Sequence, residues 1–200
     1  DKIRFNSRIE AISPDGEGWR VAIVGKEDTH FDGVIVASGH QSTPRHPEQV
    51  KGFDGHYIHA NDYRVPGPYA DKRVLVIGPG NSGVDIAADI CTVTELTFLA
   101  ARSPVLIMPR LMFGKPQSRT LGLLEKPWLP WRLKVWIRTQ LTRVFHGRME
   151  DWGFRTPKGR THPISHPTLI FHLAWNRIKA KPGIDLVAGN MVHFTDGTAE

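Results

Sequence analysis

Cysteine is almost absent: Cys91 is the only one in 200 residues. A lone thiol closes no disulfide within the chain and forms neither a Cys-x-x-Cys redox pair nor a cysteine zinc site, which excludes disulfide reductases. A reducing, cytoplasmic setting is compatible and is the expectation. No run approaches the roughly 18 apolar residues of a membrane span. No charged, apolar and small-residue succession marks a signal peptide. The chain opens Asp-Lys-Ile rather than with Met, so the reading expects a cut segment. Acidic residues are scarce in one stretch only. Residues 101–180 carry 15 Lys and Arg against 3 Asp and Glu, and the remainder carries 11 against 17. Such asymmetry fits nucleic acid, an acidic membrane or a phosphorylated ligand. A basic face around a polyanionic cofactor is the preferred reading, because no nucleic-acid-binding motif accompanies the charge.

What is present is organised around glycine. In KRVLVIGPGNSGVDIAADI, residues 72–90, Gly78-x-Gly80-x-x-Gly83 lies between a β-forming run and an amphipathic helix. A lone pattern of this kind is weak, but here a strand precedes, a helix follows and a second strand comes at a suitable distance. Gly78 permits the sharp turn, with Pro79 inside it. Gly80 lets a pyrophosphate reach the backbone, and Gly83 lets the helix pack on the strand. The free N–H groups of the helix start favour phosphate, and Asn81 and Ser82 add side-chain donors there. At the end of the second strand an acidic residue would select a ribose 2′-hydroxyl. This chain has Arg102 and Ser103 instead, which suit the 2′-phosphate of NADP.

The spacing predicts an α/β fold. Its parallel sheet has Arg73–Ile77 at the centre and Leu96–Ala101 beside it, with a helix over Ser82–Ile90 between them. Upstream, Ile3–Asn6, Arg8–Ser13 and Trp19–Val24 read as strands around the turn Pro14-Asp15-Gly16. The apolar run from Phe31 to Gly39 reads as a strand buried on both faces. Its ending at Ala37-Ser38-Gly39 admits either a close ligand or a tight turn. Residues 40–70 read as a linker. A basic amphipathic helix beginning near Pro130 either docks on the fold or lies on an acidic membrane surface through 128–145. A second helix is expected over Thr168–Ile178, and a hairpin around Gly189-Asn190. His162, His166 and His172 have no metal-ligand spacing and read as loop histidines. No Ser/His/Asp arrangement or carboxylate pair stands out, so no residue is assigned a catalytic role.

VIVASGHQSTPRHP, GFDGHYIHANDYR and GPGNSG, in that order and spacing, resemble the flavin-containing monooxygenase family. IMPRLMFGKP, WLPWRL and VHFTDGT resemble its bacterial and plant branch more weakly. The resemblance implies a two-dinucleotide-domain flavoprotein, with FAD and NADPH as cofactors. Residues 1–70 would be the C-terminal part of an FAD-binding domain, comprising a β-meander, a return strand and a linker. Residues 71–200 would be an NADPH-binding domain, incomplete at its C-terminus. Ala37, Ser38 and Gly39 match the family segment that passes the flavin. Phe53, Gly55, His59 and Tyr63 match its fingerprint, and Gly78, Gly80, Ser82, Gly83 and Arg102 its NADPH site. It implies oxygenation of a small nitrogen or sulfur nucleophile, or a related decarboxylative reaction, with O₂ through a flavin hydroperoxide. Tyr63 stands where Baeyer–Villiger relatives usually carry Trp. A Baeyer–Villiger enzyme and a stand-alone NADP-binding module remain the alternatives. An FAD-binding glycine motif is expected before Asp1 and an apolar strand after Glu200, so this piece alone is expected to be inactive.

Overall fold

The computed structural model describes residues 3–39 and 43–200. His40, Gln41 and Ser42 of the first resemblance motif, and the opening Asp1, lie outside the described residues. Two compact units divide between Thr43 and Pro44. Residues 44–70, read from sequence as part of the first domain, pack with the second unit.

The first unit is a three-stranded antiparallel sheet of β1 (Ile9–Asp15), β2 (Gly18–Ile23) and β3 (Thr29–Phe31), in that order. Asp15 pairs with Gly18, so Gly16 and Glu17 make a two-residue hairpin loop. Gly16 takes the positive φ of +61° that such loops demand. Ile3–Asn6 is not a strand. Nor is the run after Phe31: residues 33–39 form no ladder, and Ile35 is 92% exposed. A strand is made by a neighbouring edge as much as by its own residues, and no described strand offers one here.

The second unit holds a parallel sheet of β4 (Arg73–Ile77), β5 (Leu96–Ala100) and β10 (Ile178–Lys181), ordered β10-β5-β4. The chain is α/β. β5, not β4, is therefore the central strand, and Thr97, Phe98, Leu99 and Ala100 are all buried. β4 is an edge among the described residues, its Val74, Leu75 and Val76 only half-buried and Ile77 exposed. Between β4 and β5 runs α1 (Asn81–Ile90), which buries Val84, Ala87, Ala88 and Ile90. That spacing is the apolar stripe of a helix on a sheet.

Beyond β5 the chain forms short elements. β6 (Ile107–Met108) pairs in parallel with β9 (Ile164–Ser165). β7 (Leu111–Met112) and β8 (Lys115–Pro116) make a hairpin, followed by α2 (Gln117–Thr120). The long helix α3 (Trp131–His146) starts immediately after Pro130. It buries Thr139 and Thr142 and packs Ile137 and Leu141 against the core, while Trp136 and Val144 stay 59% and 78% exposed. The expected second helix is shorter. α4 (Leu169–Ala174) ends with Trp175 as its C-cap, Asn176 follows with a φ of +54°, and Ile178 opens β10 instead. Register with β5 decides this, Ile178 facing Thr97 and Lys181 facing Ala100. The hairpin of β11 (Ile184–Ala188) and β12 (Met191–Phe194) turns at Gly189 with φ +61°, as the sequence predicts.

Candidate functional site

β4 delivers the chain into Gly78, whose N–H donates to the carbonyl of Ala100 at 3.0 Å. The glycine turn and the end of β5 are thus one backbone hydrogen bond apart. Both lie at the carboxyl ends of parallel strands, the crevice where open α/β sheets take ligands. The three glycines differ in what they permit. Gly78 has φ +98°, a turn that other residues make only under strain. A Cβ on Gly83 would lie 2.0 Å from the Gly78 carbonyl oxygen, so the helix rests directly on the strand end. A Cβ on Gly80 would meet nothing within 4 Å. The space above Gly80 is open.

α1 begins there with Gly80 as N-cap, no side-chain cap and no acidic residue in its first turn. The first intrahelical bond runs from Val84 N–H to Gly80 O at 2.9 Å. The N–H groups before it have no intrahelical partner and stand at the positive end of the helix dipole. Asn81 and Ser82 are exposed beside them. Uncapped donors, a positive dipole end and open space over a glycine fit a pyrophosphate.

Arg102 and Ser103 follow β5 and are exposed. Ala101 N–H is bound to Lys181 O at 2.8 Å, which fixes the chain up to Arg102. The Arg102 side chain lies over Gly183, where a Cβ would come within 3.3 Å of its Cγ. Arg155 reaches the same turn: its guanidinium donates to the Arg102 carbonyl. Its own carbonyl accepts from Val105 N–H at 2.9 Å. Neither guanidinium has a carboxylate within ion-pair distance among the described residues. The sequence singles out Arg102 but not Arg155, which lies 53 positions on and carries no local pattern.

The fingerprint residues act as fasteners. Phe53 packs against the cluster of Ala100, Val187, Val192 and Phe194. Its ring folds back over Gly55, where a Cβ would lie 2.4 Å from the ring tip. Asp54 N–H donates to Gly189 O at 3.0 Å. Tyr63 donates its hydroxyl to Asp89 Oδ2 at 2.7 Å, joining the linker to the back of α1. Burial first, and then that bond to Asp89, hold the Tyr63 phenol well above its ordinary pKa. His59 Nδ1 accepts from Asn61 N–H at 3.2 Å, a local cap rather than a ligand contact. Phe53 and Tyr63 hold the linker onto the glycine-turn unit, Gly55 makes room for the Phe53 ring, and His59 acts within the linker. None touches the turn itself.

Ala37, Ser38 and Gly39 lie in the exposed segment of the first unit, and a Cβ on Gly39 would meet nothing within 4 Å. Of the histidines, His166 caps α4: its Nδ1 accepts from Thr168 N–H at 3.2 Å and Leu169 N–H at 3.0 Å. Its Nε2 therefore carries the proton and faces Asp85 Oδ1 at 3.4 Å. Burial is the main reason its pKa lies below the ordinary value. His172 is lowered by burial and then by Arg177.

A cavity of about 570 Å³ has Ile77, but none of the three turn glycines, in its lining. Its walls are the linker around Phe53 and Tyr57, the β4 residues Leu75 and Ile77, Phe98, and the β11–β12 hairpin. Most of its wall is apolar, with Arg45, Lys72 and Arg73 among the lining residues.

Residues 13–200 match a family model described as flavin-binding monooxygenase-like. Indole-3-pyruvate monooxygenase YUCCA1 of Oryza sativa subsp. japonica is 29% identical over 98% of this chain and 52% of its own length. Flavin-containing monooxygenase 3 of Homo sapiens is 31% identical over 86% of this chain and 34% of its own. The chain spans about half or less of the length of these relatives. The solved flavin-containing monooxygenase from Stenotrophomonas maltophilia superposes with a TM-score of 0.64, covering 98% of this chain and 48% of that one. At 21% identity that likeness is one of fold.

Proposed function

The chain belongs to the flavin-binding monooxygenase-like family, and from that premise we propose that it is the NADPH-holding part of a flavin-dependent monooxygenase. The observation that carries the proposal is the uncapped start of α1 over the open Gly80, beside an Arg102 free of any described carboxylate. In this reading the N–H groups of residues 81–83 hold the pyrophosphate, with Asn81 and Ser82 adding donors. Arg102 and Ser103 take the 2′-phosphate, which sets NADPH above NADH. When bound, NADPH supplies hydride and FAD the means of activating O₂. The residues of this chain position the dinucleotide and transfer no proton themselves.

The substrate class follows from the family reading: a small nitrogen or sulfur nucleophile, with Tyr63 favouring that over Baeyer–Villiger oxidation of a ketone. The rice relative is an indole-3-pyruvate monooxygenase, so an arylpyruvate belongs in the same panel. The test is NADPH consumption by the full-length protein with a tertiary amine, a thioether, an arylpyruvate and a cyclic ketone. Stimulation by the ketone alone would replace this reading with the Baeyer–Villiger one. Stimulation by none, with NADPH still bound, would leave a dinucleotide-binding module.

A second reading concerns α3. The helix buries Thr139 and Thr142 yet exposes Leu133, Trp136 and Val144, and residues 127–149 contain no acidic side chain. An apolar stripe flanked only by cations suits peripheral contact with an anionic bilayer through 128–145. Sedimentation with anionic vesicles tests it, and Trp136→Ser should reduce the bound fraction. Equal sedimentation of the variant would sink the idea.

A further inference from the structure

We infer that Arg155 is a second residue reading the nucleotide 2′-phosphate, forming with Arg102 and Ser103 a two-guanidinium seat. This rests on the reading that Arg102 meets that phosphate. The backbone fixes Arg155 in place. It follows the buried Phe154, and its carbonyl accepts from Val105 N–H, two residues past Ser103. Its guanidinium then reaches the Arg102 carbonyl, which brings a second cation to the turn that carries Arg102. That bond uses one donor of the Arg155 fork and leaves the others free, because a guanidinium carries five N–H donors.

The electrostatics point the same way. Two guanidiniums on one turn repel, and no described carboxylate neutralises either. The arrangement stands in a region with 15 Lys and Arg against 3 Asp and Glu over residues 101–180. A phosphate monoester is close to a dianion at neutral pH and has three terminal oxygens. It can accept from both planar forks and from the Ser103 hydroxyl at once. A ribose 2′-hydroxyl has neither the charge nor the oxygens to do so. The pair therefore favours the phosphorylated dinucleotide more strongly than Arg102 alone.

Arg155 also holds the Arg102 backbone, so the test must separate reading from clamping. Adenosine 2′,5′-bisphosphate and adenosine 5′-monophosphate are titrated calorimetrically into the wild-type chain and into Arg155→Ala, Arg155→Lys and Arg102→Ala. Arg155→Ala should weaken the bisphosphate by about 10- to 100-fold, the usual loss for one charge-assisted hydrogen-bonding partner, and leave the monophosphate nearly unchanged. Arg155→Lys, which keeps the charge but not the fork, should fall between. A clamp acting through Arg102 would also weaken the bisphosphate alone, so Arg155→Ala is repeated in the Arg102→Ala background, where a further selective loss of the bisphosphate is expected. No further loss there would make Arg155 a clamp only and overturn the inference, as would equal weakening of both nucleotides by Arg155→Ala or no weakening of either. Arg102→Ala is read separately: an undiminished preference for the bisphosphate there removes the Arg102 assignment. A wild-type chain without that preference overturns both.

Discussion

Replacing Gly83 with alanine separates the architectural glycine of the turn from the one that faces a ligand. The new Cβ would lie 2.0 Å from the Gly78 carbonyl oxygen and 3.2 Å from its carbon, with Val76 Cγ1 at 3.7 Å. These are main-chain atoms at a strand end and cannot rotate away. The start of α1 must lift by about 1 Å, and gaps of that size forfeit a quarter to a half of each van der Waals contact. Overpacking of this kind costs about 1–3 kcal/mol. For a chain of this size that lowers Tm by about 2–12 °C. The same lift carries the free N–H groups out of hydrogen-bond range of a pyrophosphate. NADP⁺ affinity should therefore fall at least about tenfold, the worth of one good contact. Gly80→Ala is the counterpart. Its φ of −68° and ψ of 172° suit any residue, and its Cβ meets nothing within 4 Å. Stability should hold or rise by about 0.5 kcal/mol, while NADP⁺ binding falls, because the methyl occupies the pyrophosphate's space. Differential scanning calorimetry and calorimetric titration read both variants. An unchanged Tm for Gly83→Ala, or full NADP⁺ affinity for Gly80→Ala, would refute the reasoning.

Tyr63→Phe removes the bond to Asp89 while leaving that exposed carboxylate hydrated, so the loss is at the low end, about 0.5–1.5 kcal/mol in urea unfolding. No change would show that the fingerprint tyrosine does not fasten the linker. Gly55→Ala forces the Phe53 ring off its seat against Val187 and Val192 and should cost about 1–3 kcal/mol. An unaltered urea midpoint would argue against that packing. Acid should act in two stages. His166 and His172 are held below 6.5 in the fold, so the unfolded chain takes up protons first and stability falls as pH drops through 6.5. Glu150 and Glu200 are held below 4.5, Glu150 chiefly by its backbone hydrogen bonds and Glu200 chiefly by Lys181. The stability they add is present above that pH and lost below it. Urea midpoints that rise between pH 7 and 5 would contradict the histidine assignment.

The glycine unit was legible because its signals are local. A β-forming run, three spaced glycines and a helical stripe fix β4, the turn and α1 without reference to distant residues. The end of β5 was legible for the same reason, and with it Arg102. The misses are matters of pairing. Residues 33–39 have the composition of a buried strand but no edge to join. Ile178–Lys181 has the composition of a helix end but pairs with β5. Which strand is central depends on β10, and nothing in Arg73–Ile77 itself announces an edge. The fingerprint was recognisable and mechanically opaque, since Phe53 and Tyr63 act through Gly189 and Asp89, far along the chain. Arg155 was invisible for that reason too. In α3 the apolar residues occupy more than one face, so the sequence located the helix without saying that Thr139 and Thr142 would be its buried side.

The most direct test of the account is calorimetric titration of NADP⁺ and NAD⁺ into the wild-type chain and into Arg102→Ala. The account predicts that the wild type prefers NADP⁺ by at least about 10- to 100-fold, and that Arg102→Ala lowers NADP⁺ affinity by about that factor while leaving NAD⁺ itself nearly unchanged. Equal binding of the two dinucleotides by the wild type, or an undiminished preference in Arg102→Ala, would contradict it.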